Sequence, residues 1–178
     1  MLLSCGARPE LLDNNNATSL TLALQLATAG NDALADILLA PTTNAGLLDV
    51  QDITAQRSAL HRASSLGLSG IVKKLLDLNA NPALTDKAGN TPLLLAITHG
   101  HTAAADVLLA PSAQAGMLQV KGASKMSALC GAYEQGLAGI VDRLLDLDAN
   151  PALTDRDGNT PLILAIVHGH AAAAEKLL

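Results

Sequence analysis

Apolar positions along this chain fall in short groups at helical spacing, separated by runs of Gly, Asn, Asp and Thr. Ile71, Val72, Leu75 and Leu76 form one stripe, and Ile140, Val141, Leu144 and Leu145 another. Residues one, four and five apart share a face of a helix, so each stripe predicts a helix buried on one side. Every stripe ends in a Leu pair, and the pairs stand at 2–3, 38–39, 75–76, 108–109, 144–145 and 177–178. The gaps of 36, 37, 33, 36 and 33 residues give a basic period of 33 with small insertions.

A second apolar group precedes each stripe. The tripeptides TSL, SAL, TPL, SAL and TPL begin at Thr18, Ser58, Thr91, Ser127 and Thr160. A Ser or Thr hydroxyl there caps a helix by accepting from a free N–H of its first turn. Pro92 and Pro161 follow where a missing N–H costs nothing. Leu20, Leu60, Leu93, Leu129 and Leu162 come next, then Ala23, Ala63, Ala96, Ala132 and Ala165, whose small side chains let a neighbouring helix approach. Gly67, Gly100, Gly136 and Gly169 end the helix in the left-handed conformation. Gly30 takes that role three residues late in the first unit, which predicts a helix almost one turn longer. The units are helix–turn–helix pairs, too thin to bury their apolar faces alone, so the fold class is an all-α repeat solenoid.

The links between units are equally regular. Asn79 and Asp148 stand where the N-terminal copy has Gly6, so a left-handed backbone is expected at both. In NPALTDKAGNT, from Asn81, Asp86 suits an Asx-type turn and Gly89 a positive φ, which predicts a short β-like finger. Residues 71–101 and 140–170 are identical at 24 of 31 positions, an offset of 69. Two longer connectors, APTTNAGLLDVQDITAQR from Ala40 and APSAQAGMLQVKGASKM from Ala110, also resemble each other. Each opens at Pro41 or Pro111, and Gln56 or Lys125 replaces the turn glycine. A doubled unit has been duplicated as a block. The apolar pairs Leu47–Leu48 and Met117–Leu118 are expected to tuck under the preceding helix, with a protruding ridge as the alternative.

With these columns in place, the sequence resembles the ankyrin repeat family. That pattern runs D-x-x-G-x-T-P-L-H-x-A-x-x-x-G-H, then a helix ending in Leu-Leu, then G-A-D/N. DKAGNTPLLLAITHGH from Asp86 and DRDGNTPLILAIVHGH from Asp155 match it, and the resemblance covers essentially the whole chain. The family's turn-stabilising His remains only as His61 and becomes Leu94, Cys130 and Ile163 elsewhere, so weaker hydrogen bonding is expected at those turns. One array over 1–178 is expected: a partial unit 1–17, units beginning near 18, 58, 91 and 127, and a partial unit 160–178. With no polar face visible at either end, the array is expected to be part of a longer one.

Composition and charge narrow the function. Apolar residues make up 49% of the 178, but the chain has one Tyr and no Phe or Trp, which suits thin layers of closely packed helices. A net charge of −5, with no basic stripe or aromatic platform, argues against a nucleic-acid partner. No apolar run reaches the roughly 18 residues of a membrane span. LLSC before Gly6 lacks the regions that would make it a lipoprotein signal. Cys5 and Cys130 fit no metal or redox spacing, which points to an intracellular, reducing compartment and a cytoplasmic location.

No phosphate loop, dinucleotide fingerprint or H-E-x-x-H occurs, so no cofactor and no enzymatic role are expected. His99 with His101, and His168 with His170, could offer paired nitrogens to a metal, but no third ligand stands nearby; helix-end structure is the favoured reading. Cys130 with His61 as base would need a hydrogen-bond contact that separate turns do not allow. Tyr133 is read as packing and Asn14–Asn16 as a solvated finger tip.

The resemblance implies a protein-binding module whose partner lies on the finger tips and first-helix ends of the concave side. Carried over by position, that surface is Lys87, Ala88, Asn90, Thr98 and His99 in one unit. In its close copy it is Arg156, Asp157, Asn159, Val167 and His168. The intervening units supply Arg57, Ser65 and Leu66, and Ser124, Met126, Glu134 and Gln135. All are expected to be exposed. The other readings are a non-catalytic recruiting arm of a larger enzyme and a mechanical spacer.

Overall fold

The computed structural model describes residues 12–26, 47–122 and 125–177. Among these the regular elements are helical. First helices of successive units are α1 (Ser19–Leu26), α2 (Ala59–Ser65), α4 (Pro92–Thr98), α6 (Ala128–Glu134) and α8 (Pro161–Val167). Second helices are α3 (Ser69–Asp77), α5 (Thr102–Gln114), α7 (Ala138–Asp146) and α9 (Ala171–Ala174). The longer helix expected before Gly30, the Gly6 position, the Leu pairs at 2–3 and 38–39, Cys5 and Pro41 lie outside the described residues.

The first helices start at their hydroxyl caps. Ser58, Thr91, Ser127 and Thr160 hold extended backbones, and their side chains accept from the N–H groups of His61, Leu94, Cys130 and Ile163. Thr18 does the same for Thr21. Each cap satisfies an N–H that helix geometry leaves without a partner. Asn79 and Asp148 have φ of 65° and 59°, the left-handed conformation expected of them. Gln56 and Lys125, both at φ 52°, keep the finger turn left-handed without glycine.

Helices pack as two layers. α1, α2, α4, α6 and α8 contact one another in order, and so do α3, α5, α7 and α9. The core runs unbroken from Leu20 to Ala173, and its Ala column (Ala63, Ala96, Ala132, Ala165) is fully buried. Tyr133 is the largest fully buried side chain.

The connectors are part of this frame. α5 runs on through Pro111 to Gln114, so the opening of that connector is helical where a connector was expected. Pro111 has no N–H to donate, but its carbonyl accepts from Ala115 and the helix closes normally. A short 3-10 turn follows at Met117–Gln119, with Leu118 buried; in the other connector Leu48 packs against the core. Both connectors also brace the next finger. The Asn81 N–H donates to Asp49 (2.8 Å) and Gln51 Nε2 to the Thr85 carbonyl (2.8 Å). Correspondingly, the Asn150 N–H donates to Gln119 (3.1 Å) and Lys121 Nζ to the Thr154 carbonyl (2.8 Å).

Candidate functional site

Fingers precede each first helix: finger 1 at 12–17, finger 2 at 51–57, finger 3 at 85–90, finger 4 at 121–126 and finger 5 at 154–159. Their described residues (in finger 4, 121–122 and 125–126) form turns, with no strand among them. A buried carboxylate organises most of them. Asp86 Oδ1 accepts from the N–H groups of Ala88 and Asn90, and Asp155 Oδ1 from those of Asp157 and Asn159. The carboxamides of Asn90 and Asn159 donate to the other oxygen. Burial alone would raise the pKa of Asp155, but these donors and the Gly158 N–H lower it.

Finger 2 is one residue longer, and Asp52 is its centre. Burial opposes its charge, yet the N–H of Ala55, the Thr54 hydroxyl, the Arg62 guanidinium and the Arg57 N–H together lower its pKa to about 2. Finger 4 has no carboxylate, because Gly122 stands in that place. A Cβ at Gly122 would lie 2.0 Å from Asn90 Oδ1 and 2.7 Å from Leu94. The preceding unit has closed over the position.

The fingers form a continuous row. Ile53 donates its N–H to the Asn15 carbonyl and Lys87 to that of Ala55, both at 2.9 Å. Gly89 meets the Lys121–Gly122 backbone, and Lys121 reaches finger 5. Row and first-helix ends together make one edge of the array.

The residues singled out from the sequence divide on this edge. Lys87, Ala88, His99, Leu66, Gln135, Arg156, Asp157, Val167 and His168 are exposed. Ser65, Thr98, Glu134, Met126, Arg57, Asn90 and Asn159 are half-buried, which corrects the expectation that all stand free. Arg57 Nε sits 3.3 Å from Asp86, and Asn90 and Asn159 belong to the finger turns. Thr98 donates its hydroxyl back to the carbonyls of Leu94 and Leu95, and Ser65 to that of Arg62. Ser124 lies outside the described residues. Met126, Glu134, Arg156 and Asp157 come together with Asp155 around a cleft of about 280 Å³.

The His-Gly-His triplets are structural. His99 and His168 bond through Nδ1 to the carbonyls of Leu95 and Leu164. His101 Nε2 reaches across a unit boundary to the Ser65 carbonyl (3.1 Å), and His170 Nε2 to that of Glu134 (3.0 Å). The rings lie over Gly67 and Gly136, where a Cβ would stand 2.6 Å and 2.5 Å from Nδ1. Among the described residues no group of three metal-ligating side chains gathers. His61 is fully buried; its Nδ1 accepts from the Ser58 N–H and its Nε2 bonds the Asn90 carbonyl. Burial lowers its pKa to about 4, against the opposing pull of Asp86 and that carbonyl. Cys130 Sγ donates instead to the Leu153 carbonyl, so His61 and Cys130 serve separate turns.

The sequence reading missed the bracing residues Asp49, Gln51, Gln119 and Lys121. Their signal was the alignment of the two connectors, which places Asp49 with Gln119 and Gln51 with Lys121.

Known proteins show the same pattern. Family models described as ankyrin repeats match residues 24–117 and 139–178. The chain is 34% identical over 125 residues to the Caenorhabditis elegans ankyrin repeat and KH domain-containing protein mask-1, covering 70% of this chain and 5% of that protein. It is 27% identical over 166 residues to the mouse B-cell lymphoma 3 protein homolog, covering 93% of this chain and 36% of that one. Ankyrin repeat domain-containing protein SAT10 of Stachybotrys chartarum is 31% identical over 134 residues, covering 68% and 7%. The chain therefore spans a minor part of each relative's length. The helix–turn–helix frame, the capped columns and these matches lead to one conclusion: the chain belongs to the ankyrin repeat family.

Proposed function

We propose that the finger row and the first-helix ends bind a partner protein. Ankyrin repeats generally serve protein–protein interaction, and the observation carrying the proposal here is a fixed frame with a varied edge. Units 71–101 and 140–170 share every residue that is buried in the first of them except Leu94, which becomes Ile163, yet Lys87/Arg156, Ala88/Asp157 and Thr98/Val167 differ, and five of these six side chains are exposed. A rigid stack carrying variable exposed positions is how repeat arrays recognise proteins. Among the described residues no helix is long and apolar enough to cross a membrane.

The test is an alanine scan of Lys87, His99, Gln135, Arg156, Asp157 and His168 against a partner captured by cross-linking from Ala88. The changes at Lys87, Gln135, Arg156 and Asp157 should leave stability within about 0.5 kcal/mol, and those at His99 and His168, which bond helix-end carbonyls, should cost somewhat more. One or two should weaken binding by about 2 kcal/mol or more if they form a hot spot. Binding that survives the whole scan but is lost on changing Asp49, Gln51 and Gln119 would move the contact to the connectors.

A further inference from the structure

The cations of this acidic chain are unevenly spent. Arg62 faces Asp52, Arg57 faces Asp86, Arg143 faces Asp106 and Lys176 faces Asp142, so four charges are neutralised in place. Fingers 3 and 4 differ. Lys87 and Lys125 are exposed, and Lys121 is held by the Thr154 carbonyl, which fixes the ammonium without cancelling it. The only carboxylate in these two fingers, Asp86, is buried and occupied by Arg57 and the finger's own N–H groups. An Asp in place of Gly122 in finger 4 would have to displace the Asn90 and Leu94 side chains, which fill the space beside it. The second-helix layer, by contrast, is mixed in charge, with Asp77, Asp106, Asp142 and Asp146 beside Lys73, Lys74 and Arg143.

We propose that fingers 3 and 4 bind an acidic peptide segment of a partner protein, with Lys87, Lys121 and Lys125 facing its carboxylates. The proposal rests on the reading of the finger edge as a docking surface and adds the chemistry of what docks. A local basic edge on a chain of net charge −5 attracts and orients an acidic segment. Towards finger 5 the cleft mixes Glu134 and Asp157 with Arg156, so the purely basic stretch ends there.

The experiment titrates the full chain against a fluorescein-labelled peptide of Glu, Asp and Ser, a matched peptide of Lys, Arg and Ser, and a single-stranded oligonucleotide. The acidic peptide should bind tightest, and more weakly as salt rises. K87E/K125E should lower its affinity by at least about tenfold, whereas K87R/K125R and the second-helix variant K73E should stay within about twofold. Thermal melts of the variants confirm that each is folded. A basic peptide that binds better, a K73E loss as large as that of K87E/K125E, or an oligonucleotide that binds more tightly would each overturn the proposal. A photo-crosslinker at Ala88 separates the two levels. If it captures a protein whose binding K87E/K125E leaves unchanged, the docking surface stands and its acidic partner falls; if it captures none, the surface reading falls too.

Discussion

At the scale of single residues, backbone conformation was the most legible feature. Asn79 and Asp148 could be read as left-handed from one aligned glycine, because few other residues tolerate that region. Asn79→Gly should be neutral or mildly stabilising and Asn79→Val should cost about 1 kcal/mol or more, measured by denaturant unfolding. Protonation was not legible, since it depends on burial. His61, buried with a pKa of about 4 against an ordinary 6.5, must be neutral in the fold. The unfolded chain then binds more protons between these values, so its contribution is complete above about pH 6.5 and is lost as pH falls towards 4. The loss amounts to roughly 3 kcal/mol. His61→Gln should flatten the stability profile in that window. Asp52, whose pKa is lowered to about 2, adds a second loss between about pH 4 and 2, so melting temperature should fall in two stages. Tyr133 is different again: its hydroxyl is buried without a partner, and burial, then Asp142, raises its pKa to about 12. Tyr133→Phe should stabilise by about 1 kcal/mol in thermal unfolding, because it removes an unsatisfied polar atom.

Among elements, helices were easy to place and their cross-unit fastenings were not. A hydroxyl cap, a helical stripe and a closing glycine lie close together in sequence, so local rules suffice. The His101 bond to the Ser65 carbonyl spans 36 residues, and the triplet alone suggested only a helix end. The same bond explains two glycines that otherwise look alike. Gly67 (φ +71°) lies beneath the His101 ring, whereas nothing stands within 4 Å of a Cβ at Gly100 (φ +73°). Gly100→Ala should cost about 1 kcal/mol, from left-handed strain alone. Gly67→Ala should cost clearly more, and His101→Ala should recover part of the difference, which a double-mutant cycle reads directly.

For the whole molecule, the period predicted a stack and a stack is what forms, but the charge pattern of its edge emerged only once the fingers were adjacent. The sequence marks Lys87, Lys121 and Lys125 as scattered cations; Asp86 and Gly122 decide what they face. Stability should follow the same nearest-neighbour logic. Leu93→Ala, at a fully buried position, should cost roughly 2–5 kcal/mol, with amide exchange rising mainly in α2, α4 and α6. A uniform rise along the chain would contradict it.

The connector braces give the stack an uneven stiffness. Fingers 2 and 3 are tied by Gln51 to Thr85, Arg57 to Asp86 and the Lys87 N–H to Ala55; fingers 4 and 5 are tied by Lys121 to Thr154. Among the described residues the contact between fingers 3 and 4 is steric, with Gly122 against Asn90 and Leu94. Fingers 1 and 2 are tied as well, by the Ile53 N–H to Asn15 and by Asn16 to the Gln51 carbonyl, so bending should concentrate at the joint between fingers 3 and 4, as in a folding ruler with one hinge left unpinned. Spin labels at Thr54 and Ala88, or at Lys125 and Asp157, should report narrow distance distributions, and labels at Ala88 and Lys125 a broader one. A segment seated across fingers 3 and 4 would narrow that third distribution, so its grip would set the curvature of the entire array.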